Sequence, residues 1–242
     1  MFGRQPFKCF TQNGPLWLNA REHCAYTASN LAKYCGVYPG YSRAKAYREA
    51  LGLEVKRDQD DWNLRWGRHM EPILREIVLE KYLKGRKFEE TGLWVKKFNG
   101  RLVGASPDGL IGDDYVLEIK ASVPAKEGSE KPTDRVLPRD IPQILLQMCL
   151  TGRKNCLYAR YNGRNAIGVM LCEYDADLMQ LILNTTDDFY CKHIKLREPP
   201  KNMTMGSPQW LARQQLELEM LQYNQHKVRA LPPIPFEHKE FH

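Results

Sequence analysis

The sequence predicts an α/β protein with a mixed central β-sheet flanked by helices. Three observations carry this. Apolar residues recur at helical spacing from residue 61 to 84. Short apolar runs bounded by turn residues follow, between residues 88 and 121. A helical stretch at 141–151 then separates them from a second pair of strands. The order is helices, three strands, helix, two strands, helix, which suits a mixed sheet covered by helices.

In chain order, residues 1–20 read as an irregular arm, with Phe2, Phe7, Phe10 and Trp17 available to dock on a core. Thr27 can cap a short helix, Ala28 to Cys35, that stops before Gly36. Ser29 then lies in its first turn, where free backbone N–H groups favour an anion or serve ordinary capping. Ser42 starts a second helix to about Leu51, carrying Arg43, Lys45 and Arg48, with Gly52 as its stop. The 61–84 helix buries Trp66, Met70, Ile73, Leu74 and Ile77, and places Glu71 at the edge of that stripe; Gly85 ends it.

Strands are expected at 88–98, 101–106 and 115–121, the first two joined by an Asn99-Gly100 hairpin turn. Pro142 sits in the first turn of the 141–151 helix, and Gln143 follows it. Strands 155–162 and 166–173 turn at Asn162-Gly163-Arg164-Asn165. Asp175 caps a helix to about Lys192. Residues 196–206 read as a linker, and Ser207-Pro208 opens a helix to about residue 229. That helix either packs back on the domain or meets a partner. The closing Pro232-Pro233-Ile234-Pro235 run reads as an extended, mobile tail. The domain organisation is therefore 1–195 as one domain (core about 15–195), a linker, and a C-terminal helix with its tail at 207–242.

The chemistry concentrates in Ser106-Pro107-Asp108-Gly109-Leu110 and Leu117-Glu118-Ile119-Lys120. Asp-Gly alone is an ordinary turn, and Glu-x-Lys alone an ordinary solvated pair. Here the glutamate and lysine interrupt an apolar strand, where charges cost free energy unless paired or bound to a metal. Alternation puts Glu118 and Lys120 on one face, and a bent hairpin brings Asp108 beside them. Two carboxylates can hold a hard divalent cation, and the carbonyl of Ile119, which lies between Glu118 and Lys120, is a candidate third ligand. Lys120 can orient a water and stabilise charge on a phosphate. A two-metal variant needs one more carboxylate from elsewhere.

These residues resemble the PD-(D/E)xK nuclease superfamily, and more narrowly the branch containing lambda exonuclease and the YqaJ-type viral recombinases. Three further segments fit that branch in order. Trp66-Gly67-Arg68-His69-Met70-Glu71 is similar to its helical motif, which implies that Glu71 is an active-site carboxylate completing a second metal position. Tyr26-Thr27-Ala28-Ser29 is similar to a segment that contacts a DNA phosphate, and Arg21, offset by about one residue, is the nearest candidate for the arginine that helps hold a 5′-phosphate. Ile141-Pro142-Gln143 is similar to the motif whose glutamine lines the active site. The likeness spans roughly residues 15–175. It implies a restriction-endonuclease-like core, Mg2+ with Mn2+ as substitute, and 5′-to-3′ resection of double-stranded DNA ends, with a single-strand-annealing protein as partner. Relatives act as monomers or as ring-shaped homotrimers. The alternatives are an endonuclease on DNA or RNA with the same site, and a non-catalytic nucleic-acid-binding module.

Composition is compatible with this. A net charge of +7 and a pI near 9.0 suit a polyanionic partner, though moderately. Seven cysteines include no Cys-x-x-Cys pair and no zinc-site spacing, so buried reduced thiols and a reducing compartment are expected. No run approaches the ~20 apolar residues of a membrane span, and no secretory signal is visible. The chain is expected in the cytoplasm or nucleus, not secreted. Lys33, Arg160 and Arg164 are further candidates for nucleic-acid backbone contacts.

Overall fold

A computed structural model describes residues 12, 14–54 and 62–236. Phe2, Phe7 and Phe10 lie outside the described residues. The elements begin with helix α1 (Pro15–Glu22) and the two-residue strand β1 (Tyr26–Thr27). A 3-10 turn (Ala28–Asn30) leads into α2 (Leu31–Cys35); α3 (Arg43–Ala50) and α4 (Trp62–Tyr82) follow. Next come β2 (Phe88–Glu89), β3 (Trp94–Phe98), β4 (Arg101–Ala105), β5 (Gly109–Ile111) and β6 (Tyr115–Ala121). Helix α5 (Ile141–Thr151), β7 (Asn155–Tyr161), β8 (Ala166–Glu173) and α6 (Ala176–Phe189) continue the chain. A π-helical turn (Tyr190–Lys195), α7 (Pro208–His226) and β9 (Val228–Pro235) close it.

The main sheet has six strands in the order β2-β5-β6-β7-β8-β9. Its β6–β7 pair is parallel, with α5 as the crossover, and the other pairs are antiparallel. A smaller sheet, β1-β4-β3, stands beside it. The mixed sheet and flanking helices match the fold class expected from the sequence.

Alternation along β6 and β7 divides the core into two layers. Val116, Cys156 and Tyr158 pack with α2, α5, α6 and α7. Leu117, Ile119, Leu157 and Ala159 pack on the other side with Trp66, Met70, Leu74 and Val78 of α4. In α4 the fully buried stripe is narrower than expected, since Ile73 and Ile77 are only half-buried.

Four differences from the sequence reading have physical causes. The arm becomes helical from Pro15, a residue preorganised for a first helical turn, and Trp17 is buried beneath it. The single strand expected at 88–98 is two, β2 in the large sheet and β3 in the small one. Asp108 is carried by a chain that leaves β4 in one sheet and enters β5 in the other, so the hairpin facing Glu118 is β5–β6. The tail expected to be mobile is β9, paired antiparallel to β8. Proline cannot donate to a ladder, but an edge strand has one unpaired side and tolerates it. Helix α7 packs back on the domain, burying Leu216, Met220 and Tyr223 in the α5–α6 layer. No described helix is long and apolar enough to cross a membrane.

The 121–140 segment is pinned to the β7–β8 turn. Ala125 N–H donates to Gly163 O at 2.8 Å, and Lys131 N–H to Asn162 O at 3.0 Å. Asn224 of α7 clamps the Val136 N–H and C=O, each at 3.0 Å. This fixes the approach to α5 and hence the side chains its first turns present.

Candidate active site

The site forms where β5 stops. It covers β6 only from Tyr115 to Leu117, whereas β7 accompanies β6 through Ala121. The backbone of Ile119 is therefore open on the β5 side, and its N–H donates there to Asp108 Oδ2 at 2.7 Å. In an extended strand the C=O of a residue lies on the same side as its N–H. The Ile119 carbonyl thus faces the edge where Asp108 sits.

Gly109 makes this approach possible. A Cβ there would fall 2.1 Å from Phe88 Cε2, so a side chain following Asp108 would strike β2. Upstream, Trp17 Nε1–H donates to Ser106 Oγ at 2.9 Å, and Gln12 Nε2 donates to Pro107 O at 2.6 Å. The aspartate loop is held from both sides.

Glu118 is buried, 1% exposed, on the α5 face of β6. Its Oε1 accepts from Lys120 Nζ and from Gln143 Nε2, both at 2.5 Å, and its Oε2 accepts from Gln147 Nε2 at 2.6 Å. Lys120 Nζ also donates to Gln143 Oε1 at 3.0 Å. One carboxylate, one ammonium and one amide form a closed triangle, because Pro142 starts α5 where its first turn overlooks β6. Burial works against the Lys120 charge, but Glu118, Asp140 and Asp108 outweigh it and hold its pKa above the ordinary lysine value.

Glu71 comes from α4, on the opposite layer, and its charge acts on Asp108. Its side chain is 37% exposed and lies 3.9 Å from the Arg75 guanidinium. Burial, then the Glu118 charge, raises the Glu71 pKa. Asp108 is pushed well above the usual carboxylate range by burial, then by Glu118 and Glu71; Lys120 and the Ile119 N–H act in the other direction. The three carboxylates thus share one electrostatic field.

Arg21 and Ser29 come together as well. Arg21 Nη2 donates to Ser29 Oγ at 3.1 Å and to Thr27 Oγ1 at 3.4 Å, and its guanidinium lies 4.3 Å from the Trp17 ring centroid. Through Trp17 and Ser106 this group adjoins the Asp108 loop.

Among the described residues, no three His, Cys, Asp or Glu side chains are gathered closely enough to chelate one ion. Glu118 faces its amide and ammonium donors, and Asp108 faces the Ile119 N–H. The donor set at the edge is nevertheless all oxygen: two carboxylates whose like charges repel and a backbone carbonyl. That chemistry fits a hard divalent cation completed by waters.

Other basic candidates are engaged elsewhere. Arg160 is 2% exposed; it pairs with Asp140 and donates to the Tyr158 hydroxyl from Nε at 2.7 Å, so it is no surface contact for nucleic acid. Lys33 pairs with Glu49 at 3.1 Å, and Arg164 with Glu130 at 2.9 Å. The residue overlooked in the sequence is Gln147. A polar side chain four positions after Gln143 in an otherwise apolar helix shares its face, and that was the available signal.

The family model for the YqaJ-like viral recombinase domain matches residues 16–154. No curated protein matches the chain. Among solved structures, the alkaline exonuclease LHK-Exo from Laribacter hongkongensis is similar over 85% of this chain and 100% of its own, at 24% identity and a TM-score of 0.55. The same figures hold for LHK-Exo in complex with dAMP. At that identity the likeness establishes the fold.

Proposed function

Because this chain belongs to the YqaJ-like viral recombinase domain family, we propose that it is a divalent-metal-dependent deoxyribonuclease resecting double-stranded DNA ends in the 5′-to-3′ direction. The observation that carries this is the convergence of Asp108, Glu118, Lys120 and Gln143 at the point where β5 leaves the Ile119 backbone open. The fold is shared with a protein described as an alkaline exonuclease, which supports the same reading.

Asp108, Glu118 and the Ile119 carbonyl would hold Mg2+ or Mn2+, and Glu71 would join them in a second position. When bound, such an ion polarises a phosphoryl oxygen and lowers the pKa of a bound water. Lys120 keeps its proton and stabilises charge developing on the scissile phosphate. Gln143 bridges Lys120 and Glu118 and sets their orientation. Arg21 and Ser29 receive the terminal 5′-phosphate, which places the scissile bond by distance from the end. A single-strand-annealing protein would take up the strand that resection exposes.

The test uses a linear duplex with a 5′-phosphate, the same duplex with a 5′-hydroxyl, and a closed circle, each with Mg2+ and with EDTA. Digestion of the phosphorylated linear duplex, slowed by the 5′-hydroxyl and stopped by EDTA, is expected. Nicking of the circle would replace the exonuclease by an endonuclease. No cleavage of any substrate would refute the DNA nuclease reading.

A further inference from the structure

Gln147 is fully buried in a helix whose neighbouring positions Ile144, Leu145, Leu146, Met148 and Leu150 are all buried and apolar. Its Nε2 donates to Glu118 Oε2 at 2.6 Å and lies 3.4 Å from Ser106 O. Two acceptors on that side fix the amide orientation, since the flipped amide would set its carbonyl against a carboxylate and a second carbonyl. Gln147 Oε1 is then buried with no hydrogen-bond partner. A buried acceptor left unpaired costs about 1–3 kcal/mol, and a methionine or leucine would fill the position without it. Such a cost in a core calls for an explanation in function.

We propose that Gln147 is a positioning residue that holds the inner oxygen of Glu118 and so turns Oε1 toward the cation and Lys120. The two oxygens of Glu118 are already divided in this way. Oε2 is served by Gln147, and Oε1 by Lys120 and Gln143. The contact to Ser106 extends the same amide to the loop that carries Asp108 two residues later. Gln147 thus spans the supports of both proposed metal carboxylates and sets the gap between them. Without it the Glu118 carboxylate keeps its place on β6 but loses the hydrogen bond that fixes its plane. This inference rests on the nuclease reading above.

The experiment measures Mn2+ binding by calorimetry without DNA, and then steady-state cleavage of a linear duplex, for the wild type and Gln147→Met. Outer-shell partners of metal ligands are typically worth about 10- to 100-fold in affinity or activity. A weakening of Mn2+ binding in that range is expected, with a matching loss of kcat, an unchanged KM for the duplex and an unchanged circular dichroism spectrum. A folded Gln147→Met whose Mn2+ affinity and kcat match the wild type would overturn the assignment. Should that variant not fold, Gln147→Leu is judged by the same two measurements. A wild type that binds Mn2+ and cleaves DNA beside an equally competent variant defeats only the role of Gln147. A wild type that neither binds Mn2+ nor cleaves DNA defeats the nuclease reading and this inference with it.

Discussion

The backbone N–H of Ile119 donates to the side chain of Asp108 at 2.7 Å. The bond exists because β5 pairs with β6 no further than Gly109–Leu117 and leaves the next part of β6 open on that side, while β7 pairs with its other side. An aspartate oxygen caps the open ladder position, and the carbonyl of the same residue is left facing the edge. A strand ending thereby presents a carboxylate and a backbone carbonyl side by side, the oxygen donors that the proposed cation would use.

Asp108→Asn separates function from folding. The amide oxygen can still accept the Ile119 N–H, while one of three mutually repelling carboxylates is removed. Cleavage is expected to fall by about a thousand-fold or more, several kcal/mol of transition-state stabilisation. Duplex binding in EDTA, followed by gel shift, should persist, and the melting temperature without metal should hold or rise. A variant that still cleaves DNA at a rate near that of the wild type would remove Asp108 from the mechanism.

Gly109→Ala tests the space behind the aspartate. The added methyl would meet the Phe88 ring at 2.1 Å, and that ring is in turn 5.4 Å from the Arg75 guanidinium. Overpacking of this kind costs about 1–3 kcal/mol. In a Phe88→Ala background the same change should cost less, and a double-mutant cycle by urea unfolding reads the coupling. Additive effects would mean that the close approach is relieved without strain.

Much of this was legible in the sequence, for reasons particular residues make plain. Glu118 and Lys120 stood out because they interrupt Val116-Leu117-Ile119, and alternation alone put them on one face. Pro142 marked the start of α5, which puts Gln143 over β6. The layer from which Glu71 approaches was not legible, since helical period gives a buried stripe and not the side of the sheet it covers. Strand β5 is three residues long, too short for a period to declare itself. Strand β9 was hidden by Pro232, Pro233 and Pro235, which describe an edge strand and a loose tail equally well. Gln147 escaped notice because its meaning depends on the Glu118 oxygen it touches.

Lys120 is expected to act as a fixed positive charge. Burial disfavours its protonated form, but Glu118, Asp140 and Asp108 more than compensate, so the pKa lies above the ordinary lysine value of about 10.4. Its proton is therefore retained through neutral and mildly alkaline pH. A pH–rate profile should show no descending limb from Lys120 below about pH 10. Lys120→Met should lose about 10²–10³ in kcat, the scale of one transition-state charge contact. A limb near about pH 8 that disappears in Lys120→Met would instead make it a general base.

The Asp108 and Glu71 pKa values are both raised by burial first and by neighbouring carboxylates next, so the proposed metal binding should depend on pH. In the metal-free protein these groups hold protons that the unfolded chain has released. Their contribution to stability is fullest below the ordinary carboxylate range and is lost as pH rises through the raised folded-state values. A cation binds the deprotonated forms and offsets the repulsion that raised them. The rise in melting temperature caused by Mg2+ over EDTA should therefore be small near about pH 5 and larger near about pH 8. Differential scanning fluorimetry across that range measures it directly. Asp108→Asn should flatten the trend, since the group with the strongest shift is gone. A Mg2+ effect equal at every pH would mean that the ion binds away from these carboxylates.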